Sequence, residues 1–404
     1  MADDLSEPQL FPMARAARCP FDPAPELGRR IREAPVSRVR LWDGSTPWMV
    51  TRYADARAVL ADPRASVDVA EPGFPHTNAV SKARDAQMKT LMQMDAPEHI
   101  AQRRLMTADF TIKKMEALRP RIQQIVDDLI DEMLAGPNPA DLVEAIALPV
   151  PTLVICELLG VPYADRAFFQ RVAGALVMDE GDPAQAMAAS EELNVYLDAL
   201  VDSKNAEPGD DVLSRLAVGQ YRSGAMTRRE ISTMGQLLLV AGHDTTASMI
   251  ALGTAALLAH PEQLAAVRDG DPALVASAVE ELLRYLSITH TEARRVARED
   301  LEIGGRLIRK GEGIIVVKSI ANRDPSAFPA PGTLDVRRKA RHHVAFGYGA
   351  HQCLGQSLAR VELQVVYGTL YRRIPTLAPA VPLEHLTFKH HAVFYGVREL
   401  PVTW

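Results

Sequence analysis

A helical pattern that runs from Thr227 to His260 most constrains the fold of this 404-residue chain. Thr227 and Glu230 match a capping box, in which the threonine accepts a backbone N–H and the glutamate reaches back to the N-cap. Pro261 ends the pattern, because proline lacks the N–H that a continuing helix needs. At 1.5 Å per residue such a helix is about 50 Å long, enough to cross a domain. We therefore expect a chain built around one long helix.

The most apolar stretch of this pattern, Leu237–Ala259, contains His243 and Asp244. A membrane span needs about 20 mostly apolar residues with few or no charges, so we predict a buried core helix and no membrane. The acidic, polar start does not resemble a secretory signal. The cysteines are Cys19, Cys156 and Cys353. They are too sparse for a disulfide framework or a zinc cluster. These features predict a soluble, cytoplasmic protein.

The remaining patterns predict a mainly α fold with small β-sheets. Short strands are expected at Val36–Leu41 and Trp48–Thr51, and a further helix at Pro272–Tyr285. The stretch Ala65–Leu91 is punctuated by proline and glycine, which is typical of a long functional loop. No repeat or low-complexity linker occurs, so residues 1–404 are predicted to form a single domain. A net charge of −6 gives no reason to expect nucleic-acid binding.

The segment around Cys353 predicts an anionic sulfur. Phe346, Gly347 and His351 precede the cysteine and Gly355 follows it, in the order Phe-Gly-Tyr-Gly-Ala-His-Gln-Cys-Leu-Gly. Glycine permits close backbone approach and unusual dihedral angles, so such a loop can press amide groups around one atom. A helical pattern begins just after the cysteine, and a helix N-terminus favours a thiolate. This arrangement suits a sulfur bound to iron.

This pattern resembles the haem-binding loop of the cytochrome P-450 (haem-thiolate monooxygenase) superfamily, and the resemblance extends over essentially the whole chain. It implies that Cys353 is the axial and metal ligand of haem b (iron protoporphyrin IX). Phe346, Gly347, His351 and Gly355 would then complete the cofactor loop. The implied fold places the long central helix over the haem. The overall pattern is similar to soluble, ferredoxin-dependent bacterial members, such as actinobacterial secondary-metabolite or xenobiotic hydroxylases.

Glu281-Leu282-Leu283-Arg284 matches the ExxR motif of the family. By spacing alone, Glu281 and Arg284 are an ion pair one helical turn apart, which is usually a surface feature. The resemblance implies instead a buried structural pair, completed by an arginine before the cysteine loop, for which Arg337 is the match.

Ala241-Gly242-His243-Asp244-Thr245-Thr246 matches the oxygen-activation motif of the family's long helix. Leu237, Ala241 and Thr245 are spaced four residues apart and share one helix face. Small residues leave space for a flat ligand, and a mid-helix threonine can bond to a backbone carbonyl. Asp244 and Thr245 are therefore the candidate catalytic residues for proton delivery. Ala241 is expected to contact the haem.

The two haem propionates need cationic or hydrogen-bonding partners. The resemblance implies four of them, spread over three segments: His99, Arg103, Arg295 and His351. Three neighbours remain alternatives: Arg104, Arg294 and His343.

Small and aliphatic side chains are predicted to line the substrate site, with Ala65–Leu91 as its lid. The candidates are Leu237, Val240, Ala241, Thr291 and Phe394. They predict a sizeable apolar small molecule, such as a polyketide, macrolide or steroid-like compound. The implied reaction inserts one oxygen atom of O2 into a C–H bond or a double bond.

The sequence contains no flavin, nicotinamide or iron–sulfur motif, so electrons are expected from ferredoxin and ferredoxin reductase. A basic run before the cysteine loop could attract an acidic ferredoxin, although a solvated loop would look the same. The run comprises Arg337, Arg338, Lys339, Arg341, His342 and His343, with Arg103, Arg104 and Arg360 as further candidates. The protein itself is expected to be a monomer.

Two alternatives remain open. Part of the N-terminal half resembles nitric-oxide reductases of the same superfamily, which take electrons from NAD(P)H but lack the acid of the Asp-Thr pair. Asp244 therefore favours oxygen activation. A non-catalytic haem sensor or electron carrier would need neither the Asp244–Thr245 pair nor a substrate loop.

Overall fold

The structure is a computed structural model of the chain. It describes residues 8–16, 19–87, 90–165, 167–169, 171–172, 183–390 and 392–404. Helices predominate and the strands are short, which confirms the predicted mainly α class with small β-sheets.

The helices of the described residues vary from four to 31 residues in length. They are α1 (Pro25–Glu33), α2 (Tyr53–Ala61), α3 (Ala79–Gln87), α4 (Glu98–Thr107), α5 (Ile112–Ala117), α6 (Arg119–Ala135), α7 (Pro149–Leu159), α8 (Pro183–Ala206), α9 (Val212–Leu216), α10 (Arg228–Leu258), α11 (Pro261–Asp269), α12 (Pro272–Leu286), α13 (Lys318–Ala321) and α14 (Gln356–Arg373).

The strands form three sheets, with the orders β1-β2-β3-β9-β6-β4, β10-β11-β5 and β7-β8. They are β1 (Gln9–Leu10), β2 (Val36–Arg40), β3 (Trp48–Val50), β4 (Ala65–Ser66), β5 (Ala140–Asp141), β6 (Ala293–Ala297), β7 (Leu301–Ile303), β8 (Arg306–Ile308), β9 (Gly313–Val316), β10 (Ala378–Pro379) and β11 (Pro401–Thr403). The predicted strands near Val36 and Trp48 are confirmed as β2 and β3, which pair antiparallel.

The chain divides into two compact units. Unit 1 comprises the described residues up to Arg104 together with Ala276–Gln356 and Val393–Tyr395; unit 2 comprises Leu105–Val275, Ser357–Ala392 and Gly396–Trp404. The single haem domain over residues 1–404 stays a prediction.

The long helix α10 is the main element of unit 2. Its capping box is confirmed: the Thr227 N–H donates to Glu230 Oε2 over 2.7 Å, and the Glu230 N–H donates to Thr227 Oγ1 over 3.2 Å. With 31 residues the helix is about 46 Å long. It ends at Leu258, and Pro261 then opens α11, a helix that the sequence analysis did not predict. Proline suits this first position, because the first helical N–H has no partner within the helix.

Helix α10 packs against α7 and α8. Gly253 of α10 also allows α14 to approach closely. A Cβ at Gly253 would lie 2.0 Å from the Tyr367 hydroxyl, which donates a hydrogen bond to the Met249 carbonyl. Glycine is therefore required for this close approach.

The six-stranded sheet is the main strand element of unit 1. Apolar residues from β2, β3, β6 and β9 pack there with α2. Strand β6, which carries Arg295, pairs antiparallel with β9 and places Arg295 opposite Ile314. This register fixes the position of a predicted cofactor residue.

Taken singly, the described helices are too short or too polar to cross a membrane; only α10 and α11 together, bent by 113°, match a span in length and composition.

Candidate functional site

The segment Phe346–Gly355 of unit 1 folds into a tight loop. The Cys353 N–H donates to the Phe346 carbonyl over 2.8 Å, which closes the loop. Gly349 has a φ of +76°, and a Cβ there would lie 2.7 Å from the Leu60 carbonyl oxygen. Glycine is thus required at this position, as the sequence predicted for the loop. Helix α14 begins at Gln356 and not at the predicted Leu354, because Leu354 and Gly355 form a turn.

Arginine and histidine side chains from separate segments gather near this loop in unit 1. The rings of His99 and His351 lie 3.9 Å apart, centroid to centroid. Arg103 donates from Nη2 to the Gln352 carbonyl over 2.6 Å, next to Cys353. Arg295 is buried and donates from Nη1 to the Arg294 carbonyl over 2.8 Å. The structure therefore brings together the four residues that were expected to bind the propionates.

Burial and mutual repulsion disfavour the charged forms of these groups. Burial, helped by His99 and Arg295, lowers the pKa of His351 to about 3. Burial likewise lowers the pKa of Arg295 to about 10 and, together with Arg103, lowers the pKa of His99. Like charges in one partly buried place destabilise each other unless an anion is present.

One acid lies within electrostatic range of this cluster, but its oxygens have other partners. Asp95 raises the pKa values of His99, Arg295 and His351. Its Oδ1 accepts the Val67 N–H over 3.1 Å, and its Oδ2 pairs with Arg298 over 3.0 Å. His99 Nε2 is buried without a partner among the described residues. A dianionic ligand with two carboxylates fits this cluster, and haem is such a ligand.

The predicted ExxR pair is buried and lies beside the segment that precedes the loop. Arg284 donates from Nε to Glu281 Oε2 over 2.7 Å and from Nη2 to Oε1 over 2.8 Å, and both side chains are fully buried. Arg284 also donates from Nη1 to the carbonyls of Asn322 and Pro331, each over 2.9 Å. The surface ion pair that spacing alone would suggest is thus excluded.

The predicted third member of this group, Arg337, is wrong. Arg338 donates from Nε to Glu281 Oε1 over 3.1 Å, whereas Arg337 is exposed. Asp335 causes the difference, because its Oδ1 accepts the Arg337 N–H over 3.0 Å and its carbonyl accepts the Arg338 N–H over 2.9 Å. The turn so formed directs Arg338, and not Arg337, towards Glu281.

In unit 2, the predicted oxygen-activation motif and the residue before it interrupt the largely buried middle of α10 with more accessible residues. We call these accessible residues, Val240, Ala241, Gly242 and Thr245, the α10 notch. Ala241 is exposed, and Val240, Gly242 and Thr245 are half-buried. The Thr245 hydroxyl donates to the Ala241 carbonyl over 2.7 Å, as the sequence predicted. A second donor on this carbonyl competes with the helical N–H and loosens the turn.

Asp244 lies beside this notch and pairs with a residue that the sequence analysis missed. Lys389 donates from Nζ to Asp244 Oδ1 over 3.2 Å, while Oδ2 is buried without a partner among the described residues. Burial raises the pKa of Asp244, and Lys389 acts in the opposite direction. Burial and Lys389 lower the pKa of His243 to about 4, so this imidazole is neutral at physiological pH. The sequence offered no pattern for Lys389, a lone lysine 145 positions away.

The predicted substrate residues divide between the units. Thr291 and Phe394 belong to unit 1, where Thr289 forms a β-bridge with Phe394. Leu237 is buried on α10, and Val240 and Ala241 follow it.

The predicted lid, Ala65–Leu91, contains β4 and α3 and ends at the first residue of the short turn Leu91–Gln93, and the rest of its described part is irregular. Residues 88 and 89 of the lid lie outside the described residues.

The basic run divides into surface and structural members. Arg337, Lys339, Arg341 and His342 are exposed. His343 is buried and bonds to Glu280 over 3.1 Å. Arg103 and Arg338 are bound to the protein as described above, whereas Arg104 is exposed.

Comparison with known proteins identifies the family. Residues 273–376, which include Cys353, match the family model described as Cytochrome P450. Cytochrome P450 GfsF of Streptomyces halstedii is 53% identical over 406 residues, which cover 100% of this chain and 97% of that protein. The chain belongs to the cytochrome P450 family. The crystal structure of GfsF superimposes on this cytochrome P450 with a TM-score of 0.94 and covers 98% of this chain and 100% of that one.

Two further relatives are named for the reactions that they catalyse. Vitamin D3 dihydroxylase of Streptomyces griseolus is 45% identical, with 100% of each chain covered. The 20-oxo-5-O-mycaminosyltylactone 23-monooxygenase of Streptomyces fradiae is 41% identical, with 98% of this chain and 92% of that protein covered. This cytochrome P450 is accordingly an oxidoreductase, a hydroxylating monooxygenase that uses haem with a cysteine thiolate as axial ligand.

Proposed function

We propose that Cys353 is the haem ligand and that this protein hydroxylates a sizeable apolar small molecule with electrons from a ferredoxin. The observation that supports this most strongly is the group of two arginines and two histidines beside the Cys353 loop. His99, Arg103, Arg295 and His351 would bind the two haem carboxylates. Arg103 lies within electrostatic range of Cys353, which raises the pKa of Arg103 against the larger effect of burial. A nearby cation also favours the thiolate over the thiol.

The residues of the α10 notch are suited to handling protons. When bound, the haem would supply the activation of O2, with the Cys353 thiolate as the residue that would hold its iron. Asp244 can exchange a proton through Oδ2, which has no partner among the described residues, while Lys389 holds Oδ1. The Thr245 hydroxyl keeps its donor on the Ala241 carbonyl and offers its lone pairs to a water. Asp244 and Thr245 would thus deliver protons to the reaction.

The side chains proposed to contact the substrate carry no charge. Leu237, Val240 and Ala241 are aliphatic, Thr291 is small, and Phe394 adds an aromatic surface. Relatives named for a vitamin D3 and a macrolide-type reaction support a polyketide, macrolide or steroid-like substrate. Hydroxylation is proposed as the main reaction, and epoxidation of a double bond as a variant.

Electron transfer is proposed to come from ferredoxin and ferredoxin reductase. Four exposed cations of unit 1, Arg104, Arg337, Lys339 and Arg341, would attract an acidic partner. Arg103, Arg338 and His343 have structural contacts and are excluded from this proposed surface. We further propose that the protein is a monomer in the cytoplasm.

A combined spectral and turnover experiment tests the proposal. The reduced, carbon-monoxide-bound protein should show the red-shifted Soret band of a thiolate ligand. A library of macrolides, steroids and terpenoids should contain ligands that shift the haem from low to high spin. Such a ligand should be hydroxylated with NADPH, ferredoxin reductase and ferredoxin, and not with NADPH alone. Rapid NADH-dependent reduction of nitric oxide without ferredoxin would instead identify a reductase.

Arg341→Glu tests the electron-transfer surface. It should lower ferredoxin-dependent turnover and weaken its salt dependence. Arg306→Glu, at another exposed site of unit 1, is the control. Equal turnover and equal salt dependence in both variants would contradict the proposed surface.

A further inference from the structure

Lys318 is a buried lysine that the proposed function does not use. It follows strand β9 and is the first residue of α13, and only 8% of it is exposed. Strand β9 pairs with β6, so that Val316 lies opposite Ala293 and Ile314 lies opposite Arg295. Lys318 therefore extends from the sheet next to the strand that carries a proposed propionate ligand.

The ammonium of Lys318 lacks a direct partner. Within the described part of the chain, no acceptor forms a hydrogen bond with Lys318 Nζ and no carboxylate lies within 4.0 Å of it. The acid that influences it, Glu292, is engaged with the backbone. Glu292 Oε2 accepts the Lys318 N–H over 2.8 Å, and Oε1 accepts the Ser319 N–H over 3.2 Å. Glu292 thus caps α13 and leaves the ammonium without a bound anion.

The surroundings of the ammonium place it at the haem-binding end of unit 1. Burial lowers the pKa of Lys318, Glu292 opposes this effect, and the Arg295 guanidinium lowers the pKa further. The Cys353 thiolate raises it. Lys318 is thus within electrostatic range of both the proposed iron ligand and a proposed propionate ligand.

A largely buried ammonium without a hydrogen-bond acceptor is costly, because it has lost most of its hydration and has only the more distant Glu292 and Cys353 to offset this loss. An anion bound between Lys318 and Arg295 would compensate both charges, and a carboxylate has the charge and size for this role. We propose that Lys318 is a further haem-binding residue, whose ammonium pairs with a haem carboxylate on the side of Arg295. This inference rests on the proposed haem site at Cys353 and adds a cation that no sequence pattern indicates.

Haem release from the holoenzyme tests the inference without relying on turnover. Wild type, Lys318→Met and Lys318→Arg are mixed with excess apomyoglobin, and haem transfer is followed in the Soret region. Because a hydrogen bond to a charged group is at stake, Lys318→Met should release haem roughly tenfold to a hundredfold faster than wild type. Lys318→Arg keeps the charge and should stay close to wild type. Lys310→Met, at an exposed lysine of unit 1, is the matched control and should not differ from wild type.

Haem dimethyl ester identifies the group that Lys318 binds. In protein reconstituted with the ester, the carboxylates are blocked and wild type and Lys318→Met should release the cofactor at the same rate. Equal release of unmodified haem by these two proteins would overturn the inference, and so would an equally large difference with the ester. Lys318→Gln replaces the methionine variant if that variant does not fold. Failure of the proposed haem site itself would appear differently, as a wild type without a thiolate-ligated spectrum.

Discussion

Arg338 donates from Nε to Oε1 of Glu281, the same carboxylate oxygen that accepts Nη2 of Arg284. The Asp335 N–H donates to this oxygen as well, over 3.0 Å. Glu281 thereby ties helix α12 to the segment that leads into the Cys353 loop. We propose that Glu281 and Arg338 anchor the cofactor loop and act through its position, not in the reaction itself.

Removing this anchor should destabilise the protein, whereas removing its neighbour should not. Arg338→Met deletes a charged hydrogen bond to a fully buried carboxylate, so the free energy of unfolding should fall by about 1.5–3 kcal/mol. Arg337→Met, at the exposed neighbour, should change it by less than about 0.5 kcal/mol. Urea unfolding and haem content measure both variants. If Arg337→Met were the more harmful change, the assignment of Arg338 would be wrong.

Cys353→Ser should remove the spectral signal of thiolate ligation to the haem iron. The variant cannot supply sulfur to iron, so the reduced carbon monoxide complex should lose its red-shifted Soret band. Cys19→Ser, at a half-buried cysteine outside the matched region, is the control and should keep the band. A retained band in Cys353→Ser would refute the ligand assignment.

Lys389 should set the pH range in which Asp244 is ionised. Burial raises the pKa of Asp244 and Lys389 lowers it, so Lys389→Met should raise this pKa further. If ionised Asp244 collects protons for the reaction, the acid limb of the pH profile should move to higher pH in this variant. Lys389→Arg should keep the wild-type profile. Asp244→Asn should lower turnover by about 10²-fold at pH values where Asp244 is ionised in wild type, and identical profiles in all four proteins would exclude the role of Lys389.

Glu362 should make the protein less stable as the pH rises. It is 3% exposed, its Oε2 has no partner among the described residues, and burial raises its pKa from 4.5 to about 8. Between these values the folded state holds a proton that the unfolded state has lost. The free energy of unfolding should therefore fall by at most about 1.4 kcal/mol per pH unit between pH 4.5 and 8.

Glu362→Gln removes this titration while keeping the shape of the side chain. Urea unfolding at pH 5.5, 7.0 and 8.5 should show the variant gaining on wild type as the pH rises. Glu144→Gln, at an exposed glutamate of unit 2, serves as the control and should follow wild type. A constant difference between Glu362→Gln and wild type would show that Glu362 is ionised throughout.

Asp85 should hold the predicted lid segment in its present conformation. Its Oδ2 contacts His76 Nδ1 and Arg294 Nη1, each over 3.2 Å, and its Oδ1 accepts Gln93 Nε2 over 3.3 Å. Asp85→Asn removes the charge from this network, so amide hydrogen exchange in α3 should become about tenfold faster.

Asp68→Asn, in which an acceptor for the Ala70 N–H remains, is the matched control in the lid. Release of a bound ligand should accelerate in Asp85→Asn alone. Unchanged exchange and release in this variant would exclude Asp85 as a fastening of the lid.

Features that depend on neighbouring residues were predictable from the sequence. The capping box at Thr227 involves residues within three positions of each other, so propensity and spacing identify it. The glycine of the haem loop was equally predictable, because the positive φ at Gly349 requires glycine. The Arg337 assignment was wrong by one position, since the direction of each arginine depends on the turn made by Asp335.

Contacts between distant segments could not be predicted in this way. Lys389 meets Asp244 across 145 residues, and Lys318 belongs to a strand end whose partner is defined only by the sheet register. Neither lysine is part of a periodic pattern. Only the folded chain shows that Lys389 lies beside an acid and that Lys318 lacks a bound anion.

The Glu281 anchor has a consequence for how this protein can diversify. Arg284, Arg338 and Asn322, which hold or brace the loop segment, all belong to unit 1 and make their contacts within it. The aliphatic positions Leu237 and Val240 take part in none of these contacts. Substitutions at such positions should therefore be nearly additive with the anchor. Laboratory evolution could retune substrate choice there without eroding cofactor retention.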